Sequence, residues 1–288
     1  MEIRYRGELA IRSRGLSLAA KEWGSPDSRP VIALHGWLDN AATFDRMLPS
    51  MSDLHVVALD AAGHGLSDFR SDDASYDIWL DVADVIAVAD HMGWDRFTLL
   101  GHSRGAIVAV LVAGSFPDRV SHLAMIDGHV PIPATEHNAA RQIAKAIRDH
   151  RRFGNASPSF FSSFERAVHA RSNGFLALQL DAAEILAQRG VRQSERGFYW
   201  HNDQRLKGTS SIKFTREQLQ SFLAAVSAPT LLIQAQQSIF TRDDKEAELF
   251  ASIIGLQIVD MAGGHHLHLE SQHARVAQEI SRFLSQHE

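Results

Sequence analysis

The chain has 288 residues, 45% hydrophobic and 22% charged, the composition of an ordinary globular protein with one large core and a subsidiary lid. Its 29 basic and 34 acidic residues give a formal net charge of −5 with no basic run, which argues against a nucleic-acid partner. Zero cysteines exclude disulfides and thiolate metal sites and fit a reducing, cytoplasmic setting.

Residues 1–14 intersperse charge and lack the apolar stretch of a signal peptide. Short apolar runs predict strands at 2–6 and 16–22, read as a hairpin, then at 31–34, 55–59, 97–100 and 122–126. Two more are predicted at 230–235 and 256–260. The later runs are apolar on both faces, as in a parallel sheet covered by helices. Residues 78–92 place Val82, Val85, Ile86 and Ala89 on one helical face. Residues 104–116 are apolar nearly all round, the pattern of a buried helix, and 274–284 carry Val276, Ile280, Phe283 and Leu284 at helical spacing. The stretch from Arg104 to Ser115 falls short of the roughly 20 residues that cross a bilayer, so no membrane span is expected. The alternation predicts an α/β sheet. Residues 130–213 break it, with helix formers at 138–150 and 175–188 and no convincing strand. A helical cap over that span is expected, with 1–129 and 214–288 as the core. Phe160, Phe161, Phe164, Phe175, Phe198, Tyr199 and Trp200 offer it apolar walls.

Gly101-His102-Ser103-Arg104-Gly105 follows the run 97–100 and opens the buried helix, which is G-x-S-x-G in a strand–turn–helix setting. The tight turn lifts the Ser103 hydroxyl above the sheet, and the flanking glycines let strand and helix approach. Three more stretches stand in order around it. They are His35-Gly36-Trp37 after the third strand, Asp60-Ala61-Ala62-Gly63-His64-Gly65-Leu66-Ser67 after the fourth, and Gly264-His265-His266-Leu267-His268-Leu269-Glu270 after the last. With these motifs the sequence resembles the α/β-hydrolase family over nearly its whole length. The detail is similar to the serine-hydrolase-like branch and, loosely, to the haloalkane-dehalogenase-like branch. The resemblance implies an α/β fold with an eight-stranded, mostly parallel sheet flanked by helices, and a helical cap.

A serine hydroxyl needs a base, and histidine suits neutral pH. Sixteen histidines prevent a choice by composition. The resemblance selects His265, with His266 as runner-up. His64 and His102 are read as supports of their turns. His265, His266 and His268 also permit a metal cluster, but neither HEXXH nor HxHxDH occurs, so no metal and no cofactor are expected.

The acid departs from the common pattern. The stretch Ile233-Gln234-Ala235-Gln236-Gln237-Ser238 has Ser238 where many relatives of this fold carry an aspartate, and serine supplies no charge. The resemblance to the dehalogenase-like branch favours Asp127, at the end of the 122–126 strand. Asp243 or Asp244 is the alternative, and those two also suit the start of a helix over 246–253. By resemblance the oxyanion donors are the backbone amides of Trp37 and Arg104. The Trp37 indole is free to line the acyl site or to pack in the core. The Arg104 guanidinium is free to bind a substrate carboxylate or to pair with an acid such as Asp127. Asp60 to Ser67 is read as a structural turn beside the pocket.

The expected activity is hydrolysis of a small-molecule carboxylic ester through an acyl-enzyme. Other Ser-dependent acyl or C–C hydrolysis, or non-catalytic ligand binding on the same fold, are the alternatives. Dehalogenase or epoxide hydrolase chemistry is disfavoured, because the resemblance there calls for aspartate at position 103.

Overall fold

The sheet grows from strands that present alternate residues to two separate cores. The computed structural model describes residues 3–128, 130–134, 138–238 and 244–287. In chain order the elements begin with strands β1 (Tyr5–Ser13), β2 (Leu16–Gly24), β3 (Arg29–Leu34) and β4 (Leu54–Leu59). Helix α1 (Ile78–His91), β5 (Phe97–His102), α2 (Arg104–Ser115) and β6 (Val120–Ile126) follow. Then come α3 (Ala139–Gly154), α4 (Phe164–Ser172), α5 (Leu180–Gly190), β7 (Val191–Ser194) and β8 (Gly197–Trp200). The chain closes with α6 (Arg216–Ala224), β9 (Thr230–Gln237), α7 (Asp244–Phe250), β10 (Gln257–Gly264) and α8 (His273–Gln286).

Among the described residues the main sheet has eight strands in the order β1-β2-β4-β3-β5-β6-β9-β10. The β1–β2 and β2–β4 pairs are antiparallel and the others parallel. Within β3, Ile32 and Leu34 join the core under α1, α2 and α6, while Val31 and Ala33 join the core under α8. The same split divides Val57 and Leu59 from Val56 and Ala58 in β4. These continuous apolar runs are the reason the central strands were legible without alternation. The first strand lies further along than expected, running from Tyr5 to Ser13 as an edge strand whose solvent face is polar, and residue 2 of the expected span lies outside the described residues.

Helix α1 turns differently from the expected stripe. Its buried residues are Asp81, Asp84, Val85, Val88 and Ala89, so two carboxylates face inward. Arg70 bonds to both of them, and Arg104 pairs with Asp81. The ion pairs offset the burial that an apolar pattern alone would avoid.

The segment between β6 and β9 carries helices as expected, but also the β7–β8 hairpin, which corrects the reading of that span as free of strands. Arg192, Gln193 and Ser194 hide the strand signal, and the pairing is completed by an isolated bridge between Phe161 and Phe198. The expected helix over 175–188 begins later, at Leu180, and α4 precedes it. Val168, Ala182, Ala183, Leu186 and Ala187 form a small core of their own around Leu269 of the loop after β10. Phe164 and Trp200 pack against it, whereas Phe175 stands in solvent at 89% exposure. No helix among the described residues is long and apolar enough to cross a membrane.

Candidate active site

Ser103 sits between β5 and α2 with φ 52 and ψ −117, a backbone conformation that L-residues seldom adopt. The two motif glycines make the turn possible. A Cβ on Gly101 would lie 2.6 Å from the Ala106 backbone, and one on Gly105 would lie 2.1 Å from the Leu34 carbonyl oxygen. Helix and strands therefore meet closer than any side chain permits. The amide of Ser103 donates to the Ile126 carbonyl at 3.1 Å, which ties the elbow to the end of β6.

The residue that follows β6 is Asp127, at φ 36, a left-handed conformation that aspartate tolerates better than most. Its Oδ1 accepts the Ala235 amide at 2.9 Å. Its Oδ2 accepts the Ser238 hydroxyl at 2.9 Å and lies 2.7 Å from Nδ1 of His265. On the other side of the ring, Nε2 of His265 lies 2.9 Å from Oγ of Ser103. The structure thus brings Asp127, His265 and Ser103 into one hydrogen-bonded line, with all three residues buried. Ser238, noted in the sequence only for lacking charge, donates to the carboxylate that takes its place.

The other candidates fall elsewhere. His266 turns away from Ser103, with Nε2 3.1 Å from Oδ2 of Asp39. His268 faces Thr43, its Nε2 2.8 Å from the hydroxyl oxygen. His102 donates from Nε2 to the His265 carbonyl at 3.0 Å, so it holds the backbone of the base. His64 bonds the Ala62 carbonyl within its own turn. Asp243 lies outside the described residues, and Asp244 is the first residue of α7.

Arg104 is the first residue of α2, where the helix leaves amides without intrahelical partners. Its guanidinium pairs with Asp81 on α1 and not with Asp127. The Trp37 side chain is 38% exposed and donates from Nε1 to the Leu206 carbonyl at 2.9 Å, so it does not pack in the core. The preceding His35 donates from Nδ1 to the Gly36 carbonyl and accepts the Ala61 amide on Nε2, which fixes the start of this loop. Asp60 accepts the Ala41 and Leu66 amides and pairs with Arg189 of α5, the work of a structural turn.

Asp39, His102 and His266 are buried and hold ligand-type atoms within 4.8 Å of one another. A cation is already there. The Arg171 guanidinium donates to Asp39 Oδ1 at 2.9 Å and lies 3.3 Å from His266 Nε2. Burial alone would raise the Asp39 carboxyl, but Arg171 and then His266 hold it well below the ordinary carboxylate range.

Sequence reasoning missed Asp39, Arg171, Asp81 and the donor role of Ser238. The signal for Asp81 was present, since it and Asp84 flank the apolar stripe of α1.

Burial is the largest cause of a lowered pKa at His35, His64, His102, His266 and His268, each below the ordinary value of 6.5. Below that value the unfolded chain binds more protons than the native one, so stability is full above it and falls as pH drops. Each extra proton adds a slope of up to about 1.4 kcal/mol per pH unit. The urea midpoint is expected to be lower at about pH 5.5 than at about pH 7.5, and His268→Gln should reduce the difference. Equal midpoints would contradict this account.

A family model described as alpha/beta hydrolase fold matches residues 29–272. Serine hydrolase-like protein 2 of Homo sapiens is 33% identical over 287 residues, covering 93% of this chain and 90% of its own length. The serine hydrolase-like protein of Danio rerio is 31% identical over 277 residues, covering 93% of this chain and 85% of its own length. The crystal structure of a hypothetical protein from Pseudomonas aeruginosa PAO1 superposes with a TM-score of 0.91 at 38% identity, covering 98% of this chain and 99% of that one.

Proposed function

The chain belongs to the alpha/beta hydrolase fold family, in its serine-hydrolase-like branch, and on that premise we propose that it hydrolyses a carboxylic ester through an acyl-enzyme on Ser103. The observation that carries this reading is the line of bonds from Asp127 Oδ2 to His265 Nδ1 at 2.7 Å and from His265 Nε2 to Ser103 Oγ at 2.9 Å.

The chemistry follows from those contacts. As Ser103 Oγ bonds to the ester carbonyl carbon, its proton passes to Nε2 of His265. Asp127 stabilises the imidazolium. The carbonyl oxygen becomes an oxyanion facing the backbone amides of Trp37 and Arg104, and the α2 dipole adds to their field. When the C–O bond to the leaving alcohol breaks, His265 returns the proton to that oxygen. Water then attacks the acyl-enzyme, loses a proton to His265, and releases the carboxylic acid as Ser103 recovers its own. Every proton is carried by groups of this chain.

We assign residues 130–213 to a cap over this site, with 1–129 and 214–288 as the hydrolase core. A cap excludes water and restricts the substrate range.

A p-nitrophenyl ester series and a fluorophosphonate label test the reading together. The wild type should turn over the esters and take the label, and Ser103→Ala should do neither. A wild type that neither hydrolyses esters nor takes the label would make the protein a ligand binder. A labelled but inactive wild type would keep Ser103 as the nucleophile and move the reaction to another acyl or C–C substrate.

A further inference from the structure

The loop that supplies the Trp37 amide is bonded to the segment 171–206 at every residue from 37 to 40. Trp37 donates from Nε1 to the Leu206 carbonyl at 2.9 Å. The Leu38 carbonyl accepts from Asn202 Nδ2 at 3.2 Å. Asp39 Oδ1 accepts from Arg171 Nη2 at 2.9 Å. Asn40 donates from Nδ2 to the Leu186 carbonyl at 2.9 Å. Leu38 has φ 60, a conformation costly for leucine that persists only where surrounding contacts impose it.

Three of these contacts are neutral and pairwise, but the Arg171 contact joins more. Its guanidinium sits on Asp39 of the loop and beside His266, the residue after the base, and its Nη1 donates to the Leu176 carbonyl at 2.6 Å. Asp39 and His266 are buried at 1% and 2% exposure, and their bond at 3.1 Å joins the oxyanion loop to the histidine loop. Gly36 lies against the same junction, since a Cβ there would be 3.2 Å from Asp39 Oδ2 and 2.9 Å from His102 Nδ1.

We propose that Arg171 is a positioning residue through which the inserted segment sets the oxyanion loop against the catalytic base. It touches no reacting atom. It fixes Asp39, and Asp39 fixes both the loop that carries the Trp37 amide and the residue next to His265. This inference rests on the assignment of Trp37 as an oxyanion donor. An amide displaced by about 1 Å loses much of its preference for the transition state while leaving ground-state binding nearly intact. The signature is therefore a fall in kcat without a matching rise in KM.

Arg171→Met strands a buried carboxylate, so the paired variant Arg171→Met/Asp39→Asn carries the test in a neutral junction. Two readouts apply to it. Hydrolysis of p-nitrophenyl acetate should show kcat lowered by about tenfold to a hundredfold with KM within about threefold. In protein labelled with 5-fluorotryptophan, the fluorine resonance of Trp37, assigned by Trp37→Phe, should move while those of Trp79 and Trp94 stay. Arg171→Lys should recover part of kcat, because lysine restores the charge on Asp39 but not the second bond to Leu176. An unmoved Trp37 resonance overturns the proposal, as does unchanged kcat or a loss confined to KM. If Ser103→Ala retains full turnover, the esterase reading fails instead, and the Trp37 resonance still decides whether Arg171 holds the loop.

Discussion

Ser103→Ala is expected to lower kcat/KM for a p-nitrophenyl ester by about a million-fold, or about 8 kcal/mol of transition-state stabilisation. The size follows from how the three groups act as a unit. Without Oγ there is no acyl-enzyme, and the proton-transfer capacity of His265 has no partner at 2.9 Å. A residual rate from the oxyanion donors and substrate binding should remain above that of water by about a thousandfold. The variant should also stay folded. Ser103 stores backbone strain at φ 52, and alanine inherits that strain unchanged. Ser103→Gly removes it, so its thermal midpoint should exceed that of Ser103→Ala, by a free energy of about 1 kcal/mol. Matched melting of the two variants would mean that the elbow is not strained. Retained turnover in Ser103→Ala would remove the residue from the chemistry altogether.

The elbow was legible because its chemistry is local. Gly101, Ser103 and Gly105 are close in sequence, and the strand and helix that they join each announce themselves by apolar content. The line from Ser103 to His265 was legible for a different reason, namely the resemblance of the loop after the last strand to the family's histidine loop. The junction around Arg171 had neither support. Arg171 is 132 residues from Asp39, in a polar helix where it looks like any solvated arginine. Arg104 shows the same limit, since its partner Asp81 lies on another helix and nothing in the local spacing favours it over Asp127. Short motifs encode the reacting atoms, while the ion pairs that orient them depend on which surfaces the fold brings together. The β7–β8 hairpin was lost for a related reason. Its first strand is too polar to alternate visibly, and Phe198 of its second strand is bridged to Phe161, which lies outside the hairpin.

Asp127→Asn should cost about four orders of magnitude in kcat with the fold intact, and the argument is one of donors and acceptors. The aspartate accepts at both oxygens, from the fixed Ala235 amide on one side and from His265 Nδ1 and the Ser238 hydroxyl on the other. Asparagine supplies only one accepting oxygen. The Ala235 backbone cannot exchange donor for acceptor, so the amide oxygen turns to it and the NH2 faces His265 Nδ1. Ser238 adapts by rotating its hydroxyl to accept. His265 adapts only by moving its proton to Nε2, the tautomer that cannot take the proton of Ser103. Stability should change little while the base is disabled, which separates this outcome from simple loss of fold. Asp244→Asn serves as the comparison and should keep kcat within about twofold of wild type, since Asp127 already holds His265 Nδ1. If Asp244→Asn were the variant to lose kcat and Asp127→Asn the one to keep it, the acid would belong to the loop after β9. The bonds on Asp127 would then be those of a strand-end turn.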